Sequence, residues 1–241
     1  MTRASSAREL VIWGSGGHAR ELCDLVAALV DDGARWRLLG LLDDDVARHG
    51  HVVDGLEVLG GEAWLRERPD PPAVAIGIGS SRARAHVARR LAPLRLEHPV
   101  LVHPTAIRTG RISLAAGVVV AAGAILTTGI SIGEHTHVNV GTSISHDCEL
   151  ADFATVGPGS RLAGGVRLGT GSDLGAGVVL IPSVTVGAWS LLGAGTVVTR
   201  DLPANVTAVG VPARIIRERP SGWELQSEPA RPAQDALPSG A

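Results

Sequence analysis

Residues 138–174 read VNVGTSISHDCELADFATVGPGSRLAGGVRLGTGSDL. An aliphatic side chain returns at every sixth position: Val138, Ile144, Leu150, Val156, Leu162, Leu168 and Leu174. The same step, carried outward, reaches Val102 on one side and Val198 on the other. Sixteen of the seventeen positions in phase are Leu, Ile or Val, and Arg108 is the exception. The residue after the aliphatic is often small, as in Ile132-Gly133, Val156-Gly157 and Leu192-Gly193. Four residues after it stands a compact or branched side chain, among them Ala124, Thr136, Thr142, Cys148, Ala154, Ser160, Ser172 and Ser190. An α-helix, at 3.6 residues per turn, cannot keep every sixth residue on one face. A flat strand can, but does not need a small residue at a fixed phase. Short strands joined by tight corners need both, so the period defines a parallel β-helix with the aliphatics stacked inside each coil. At three strands per coil, the span from 102 to 198 gives a little over five turns with no loop extruded between them.

The chain of 241 residues has room for one large domain or two modest ones. Its formal charge is −2, all 22 basic residues are Arg, and they form no basic run. Nothing in this balance suits nucleic acid or an anionic membrane surface. Aromatic residues are few (one Phe, no Tyr, five Trp), which argues against a base-stacking platform for nucleic acid. The two cysteines, Cys23 and Cys148, do not make a metal-type pair, and the phase of the repeat sends Cys148 inward as packing. The apolar run Leu10-Val11-Ile12-Trp13 is too short for a signal sequence or a membrane span, so the reading is a soluble, cytoplasmic protein.

Residues 9–101 follow a different pattern. Glu9 to Trp13 reads as a buried strand closed by Gly14-Ser15-Gly16-Gly17-His18, and Ala19 to Val30 as an amphipathic helix. Trp36 to Leu42 is a second strand that stops at Asp43-Asp44-Asp45. A short helix is expected within 61–68, a third strand at 73–78, a helix from Arg82 to about Leu91, and a last strand at Val100 to Val102. This alternation implies a small, Rossmann-like parallel α/β sheet. The expected division is therefore 9–101 for a Rossmann-like domain of the nucleotide-binding sort and 102–217 for the β-helix. Residues 218–241, rich in Pro, Ser, Ala and Glu, read as a disordered tail.

Two stretches can carry chemistry. Gly14-x-Gly16-x-x-Ala19 follows a strand and opens a helix, so backbone can approach a ligand and unpaired helix N–H groups face an anion. Asp43 ends the next strand, where a ribose-binding carboxylate sits in dinucleotide folds. A dinucleotide site, a site for a nucleotide-linked substrate and a tight structural turn all fit these residues. His146-Asp147 lies between the inward Ile144 and the inward Cys148, which puts both at an outer corner of a coil. A corner His beside a carboxylate is suited to general-base work, because the negative charge favours imidazolium; a solvated surface His is the plainer reading. His135 and His137 invite a metal reading, but their spacing to His146 is no recognised ligand pattern.

Taken together, Ile12-Trp13-Gly14-Ser15-Gly16-Gly17-His18, Leu42-Asp43-Asp44, Ala75-Ile76-Gly77-Ile78-Gly79, His103-Pro104-Thr105-Ala106, Ser145-His146-Asp147-Cys148 and Gly210-Val211-Pro212-Ala213-Arg214 resemble the sugar acetyltransferases of the NeuD/PglD type. The resemblance covers roughly residues 9–217. It implies a left-handed β-helix of the hexapeptide-repeat acyltransferase superfamily, a homotrimer, and acetyl-CoA as co-substrate with no metal. It further implies His146 as general base tuned by Asp147. Ser15, Gly16, Gly17, His18, Asp43, Asp44, Gly79 and Asn139 would hold a nucleotide-linked sugar. Gly164, Ala176 and Ala194 would line a groove for acyl-CoA between neighbouring subunits. Where the family often has a second His on the cofactor, nine residues after the base, this chain has Thr155, whose hydroxyl would take that place.

The expected reaction is direct transfer of an acetyl group from the CoA thioester to a sugar amine or hydroxyl, without a covalent enzyme intermediate. Two other readings stand beside it. One is a non-catalytic, nucleotide-sugar-binding trimeric scaffold or regulator; the other is a β-helix metalloenzyme of the carbonic anhydrase kind.

Overall fold

The computed structural model describes residues 7–226. Its N-terminal part is a five-stranded sheet with helices packed on it. The strands are β1 (Arg8–Trp13), β2 (Trp36–Leu42), β3 (Val52–Val53), β4 (Leu56–Gly60) and β5 (Ala73–Ile76), in spatial order β3-β4-β2-β1-β5. All neighbours are parallel except the β3–β4 hairpin. Helix α1 (Gly17–Asp31) buries Ala19, Leu22, Leu25 and Val26 against the sheet, the side its apolar spacing selects. Helices α2 (Glu62–Arg66) and α3 (Ser81–Leu91) complete the layer on the other side, over Val11, Trp13, Val74 and Ile76. The hairpin of β3 and β4 lies in the stretch where the sequence shows only a turn and a possible helix. Its two-residue first strand is too short for a visible alternation.

The second part is a parallel β-helix of triangular section. Between 101 and 198 its strands, two or three residues long, fall into three sheets in which each pairs with the one eighteen residues on. The first face carries His137–Val138, Thr155–Val156, Asp173–Leu174 and Leu191–Leu192 in register. The second carries Ile125–Leu126, Ser143–Ile144, Arg161–Leu162, Val179–Leu180 and Val197–Val198. Glu149–Leu150, Arg167–Leu168 and Thr185–Val186 belong to the third. The second residue of each pair points inward, and from Val120 to Val198 every aliphatic of the six-residue step is buried. Burying a side chain of this size is worth about 1.5–3 kcal/mol, which makes the stack the main source of stability here. The small corner positions are buried too, and their polar atoms reach the next coil: Thr136 donates to the Ala151 carbonyl at 2.9 Å and the Cys148 thiol to Ala163 at 3.2 Å.

Two expectations need correction, and one exception has a structural reason. Leu101–Val102 is the first rung of the β-helix, paired with Val119–Val120, and does not join the N-terminal sheet. Arg108 breaks the aliphatic rule because it lies on the end coil, where Ile107–Arg108 has a neighbour on one side only and both residues are exposed. The tail expected to be disordered from 218 is folded as far as it is described. Arg214–Glu218 pairs antiparallel with Val206–Val209, and a short 3-10 turn follows at Trp223–Leu225. The remainder of the expected tail lies outside the described residues. Among the described residues no helix is long and apolar enough to cross a membrane.

Candidate active site

The carboxyl ends of β1, β2 and β5 face the first side of the β-helix across a cleft of about 1130 Å³. Ser15, Gly16, Gly17, His18, Asp43, Asp44 and Gly79 all line it, so the separate N-terminal motifs converge on one place. Helix α1 opens there with Gly16 as its cap residue and no side-chain cap bond, which leaves its first N–H groups turned toward the cleft. Ser15 works inward: its hydroxyl donates to the Asp43 carboxylate and accepts from Arg48 at 2.7 Å, tying the glycine turn to the end of β2. Asp43 also accepts from the Asp45 amide at 3.0 Å, while Arg90 pairs with both oxygens of Asp44 at 2.7 and 2.9 Å. The two aspartates therefore differ: the first shapes the turn with Arg48 at 4.0 Å, and the second is held by both of its oxygens on Arg90.

The two parts of the chain are locked by Arg84, which is fully buried. Its Nε donates to the His135 carbonyl at 2.7 Å. The other nitrogens donate to the carbonyls of Ile78, Gly79, Phe153 and Ala154, and to Thr155 Oγ1 at 2.8 Å. Burial lowers its pKa to about 10, which leaves it charged at neutral pH. Thr155 is spent in the same contact. Its hydroxyl meets Ser81 Oγ at 2.8 Å and donates to the Gly79 carbonyl at 3.3 Å, and the residue is buried. The hydroxyl expected on a cofactor is thus engaged in docking, because the strand phase turns Thr155 toward the N-terminal domain.

The same column of the first face, one coil earlier, carries His137. Its Nδ1 lies 2.8 Å from His18 Nε2, and His18 Nδ1 lies 3.1 Å from Glu21. His18 also borders a smaller pocket of about 210 Å³ shared with His137, His103 and Asn139, so it stands between the two cavities. Asn139 donates to the Val156 carbonyl at 3.0 Å. His135 is stacked on Phe153 and meets His98 edge-on. Among the described residues no three His, Cys, Asp or Glu side chains converge as a metal site would require. Burial pulls His18, His98 and His137 below the ordinary histidine range and His135 down to about 3, with Arg84 as a further cause for all but His98. These histidines are neutral when folded and bind protons on unfolding. Stability is then fully present above the unfolded value near 6.5 and is lost as pH falls below it. His135 alone should cost about 2 kcal/mol by pH 5, or roughly 4–8 °C in melting temperature. Thermal unfolding followed from pH 7 to 5 checks this, and a shallower slope is expected for His135→Asn. A flat profile would remove the account.

His146 and Asp147 stand on the edge between the second and third faces, between Ser143–Ile144 and Glu149–Leu150. Both side chains are largely exposed, at 64% and 73%. His146 Nδ1 donates to Asp147 Oδ2 at 2.9 Å, which fixes the tautomer and leaves Nε2 as the basic atom. Asp147 adopts a left-handed backbone (φ 58°), a conformation that Asp tolerates better than most residues, and this turns its carboxylate back toward the ring. The imidazole lies over Gly164 of the next coil, where an added Cβ would come within 2.4 Å of Nε2. Cys148, two residues on, is buried, and burial raises its thiol pKa, so it presents no nucleophile.

Gly164 shares the edge of His146, whereas Ala176 and Ala194 stack on the edge between the first and second faces. The two edges bound the second face, whose outward side shows Ile107, Ile125 and Val179 to solvent. Among the described residues the amides of Gly164, Ala176 and Ala194 donate to no backbone carbonyl, so three small corners keep N–H groups free beside an apolar strip. That donor set suits the amide and thioester groups of a pantetheine arm. Sequence reasoning missed Arg84 and Asp173, and weighed His137 only as a metal ligand; all three line the docking face. A step of eighteen residues would have found the column His137, Thr155, Asp173 and Leu191.

A small nucleotide-binding type of sheet docked on a parallel β-helix, with an exposed His–Asp pair at a coil edge, defines an acyltransferase built on hexapeptide repeats. The family model for the PglD N-terminal domain matches residues 9–91. Perosamine N-acetyltransferase from Caulobacter crescentus, solved as a mutant with CoA and GDP-perosamine, is 35% identical. That match covers 87% of this chain and 97% of the other, with a TM-score of 0.78. The acetyltransferase domain of PglB from Neisseria gonorrhoeae, solved with acetyl coenzyme A, is 30% identical over 88% of this chain and 100% of the other (TM-score 0.79). WeeI from Acinetobacter baumannii is 25% identical over 87% and 100% (TM-score 0.78). No curated protein sequence matches the chain. The chain belongs to the NeuD/PglD-type sugar acetyltransferases of the hexapeptide-repeat superfamily, enzymes of left-handed β-helix fold that use acetyl-CoA.

Proposed function

We propose that this chain, as a homotrimer in the cytoplasm, moves the acetyl group of acetyl-CoA to an amine or hydroxyl of a nucleotide-linked sugar, with His146 as general base. The observation that carries the reading is the separation of two half-sites. The cleft of Gly16, Gly17, His18 and Asp43 opens on the first face, and His146 stands on the far edge between the second and third. A substrate held in the cleft reaches a His146 only if that residue comes from a neighbouring chain, and the exposed aliphatics of the second face supply a surface for that neighbour. Nε2 of His146 takes the proton of the acceptor as it attacks the thioester carbonyl. Asp147 stabilises the imidazolium, a free corner amide holds the oxyanion, and the CoA thiol leaves. Gly164, Ala176 and Ala194 would flank the acyl-CoA, and Ser15, Asp44, Gly79 and Asn139 would complete the acceptor side.

The test is a thiol-release assay with acetyl-CoA and a panel of amino sugars, free and nucleotide-linked. Thiol release that depends on a nucleotide-linked acceptor is expected. Nucleotide-sugar binding without any release would favour a scaffold instead.

A further inference from the structure

The cleft has a wall that the glycine turn and the aspartates do not account for. Opposite them stand Trp189, Leu191, Trp223 and Arg82. Trp189 holds a left-handed backbone (φ 57°), and its ring lies over Gly171, where an added Cβ would come within 2.1 Å of it. Trp223 comes from the chain beyond residue 217, outside the stretch that carries the family motifs. Its Nε1 donates to Asn205 Oδ1 at 3.1 Å, and the guanidinium groups of Arg219 and Arg82 stand 4.4 and 5.1 Å from its ring. Arg82 lies in the first turn of α3, at the cleft, and also donates to the carbonyls of Glu224 (3.3 Å) and Gln226. The segment from Pro220 to Gln226 is thus strapped to the mouth of the cleft at several points, which leaves Trp223 half-buried with part of its ring lining the cavity.

The two ends of the cleft differ in chemistry. His18 borders the smaller pocket of His137 and Asn139, while Trp189 and Trp223 lie toward Leu191, three coils further along the first face. At the strand spacing that is about 14 Å. The open N-terminus of α1 stands between, where phosphate oxygens would meet free N–H groups. We propose that Trp223, which lines the cleft together with Trp189, is a specificity-determining residue that stacks on the planar base of the nucleotide, with the sugar directed toward His18. The proposal rests on the reading that the acceptor is nucleotide-linked.

Calorimetric titration of the full-length protein with GDP, UDP and dTDP tests it, with acetyl-CoA as control ligand. Base–aromatic stacking predicts that Trp223→Ala weakens the tightest-binding nucleoside diphosphate by about 5- to 150-fold. Acetyl-CoA affinity and melting temperature should stay at the wild-type values, and Trp223→Phe should retain affinity to within about threefold. Unchanged nucleotide affinity in Trp223→Ala overturns the proposal, as does an equal loss in Trp223→Phe, which would trace the effect to the indole N–H. Thiol release without nucleotide binding by the wild type also overturns it and leaves acetyl transfer standing. Binding lost in Trp223→Ala by a protein that releases no thiol would do the reverse.

Discussion

Replacing His146 by alanine should lower kcat by about 10²–10⁴-fold, the usual contribution of a positioned general base. Acetyl-CoA affinity should change little, because the ring lies over Gly164 at the edge and among the described residues its side-chain hydrogen bond goes to Asp147. Asp147→Asn, which keeps the shape but not the charge, should give a smaller loss. Steady-state kinetics with calorimetry for acetyl-CoA decide the matter; a His146→Ala enzyme turning over at the wild-type rate would falsify the assignment.

The same variant tests whether the site is shared between chains. Gly16→Glu places a carboxylate at the mouth of α1, where an added Cβ meets nothing within 4 Å and the fold should be undisturbed. Each variant alone should be nearly inactive. Trimers reassembled from equal amounts of both should recover about a quarter of the wild-type sites, because each working site then needs one intact edge and one intact cleft from neighbours. No recovery on mixing would place the whole site within one chain.

The largest effect on stability is expected at Arg84. Truncation to alanine leaves the carbonyls of His135, Ile78 and Phe153 without the Arg84 donor inside the contact between the two parts, and takes one of two donors from those of Gly79 and Ala154. Charge-assisted hydrogen bonds and the desolvated acceptors behind them put the cost at about 3–5 kcal/mol. For a chain of this size that corresponds to a fall in melting temperature of about 6–20 °C. Arg84→Met, which preserves volume but no donors, should lose nearly as much, and Arg84→Lys should keep a part. Thermal unfolding, with limited proteolysis of the 92–101 connection, measures both. A melting temperature within 2 °C of wild type in Arg84→Met, on the order of 1 kcal/mol, would show that packing and not hydrogen bonding holds the contact.

The six-residue period made the β-helix legible because each coil repeats one local rule: an aliphatic inward, a tight corner, a small residue where two corners stack. The same phase separated His146 from Cys148 by direction, and the structure exposes the first and buries the second. In the N-terminal part, β1, α1 and α3 were legible from their apolar runs and spacing. The β3–β4 hairpin was not, since its strands are short and it sits at the sheet edge. Thr155 shows the limit of reasoning from a motif position. The residue was matched to a cofactor contact, yet Ser81 and Arg84 occupy its hydroxyl. Leu101 shows the limit for boundaries, because a two-residue strand has no pattern of its own and takes its sheet from its partner.

By itself the sequence determined the β-helix, its inward and outward positions, and a glycine turn at the end of a strand. Each of these follows from periodicity or from backbone rules that act over a few residues. Only the tertiary structure decided which face of the prism receives the N-terminal domain, that Arg84 is the lock between them, and that His18 meets His137 across 119 residues of chain. It alone also brought Trp223 to the cleft opposite Gly16. The physical reason is the same in each case: burial and hydrogen bonding between distant segments leave no periodic trace in either segment. They depend on a docking geometry that no local stretch encodes.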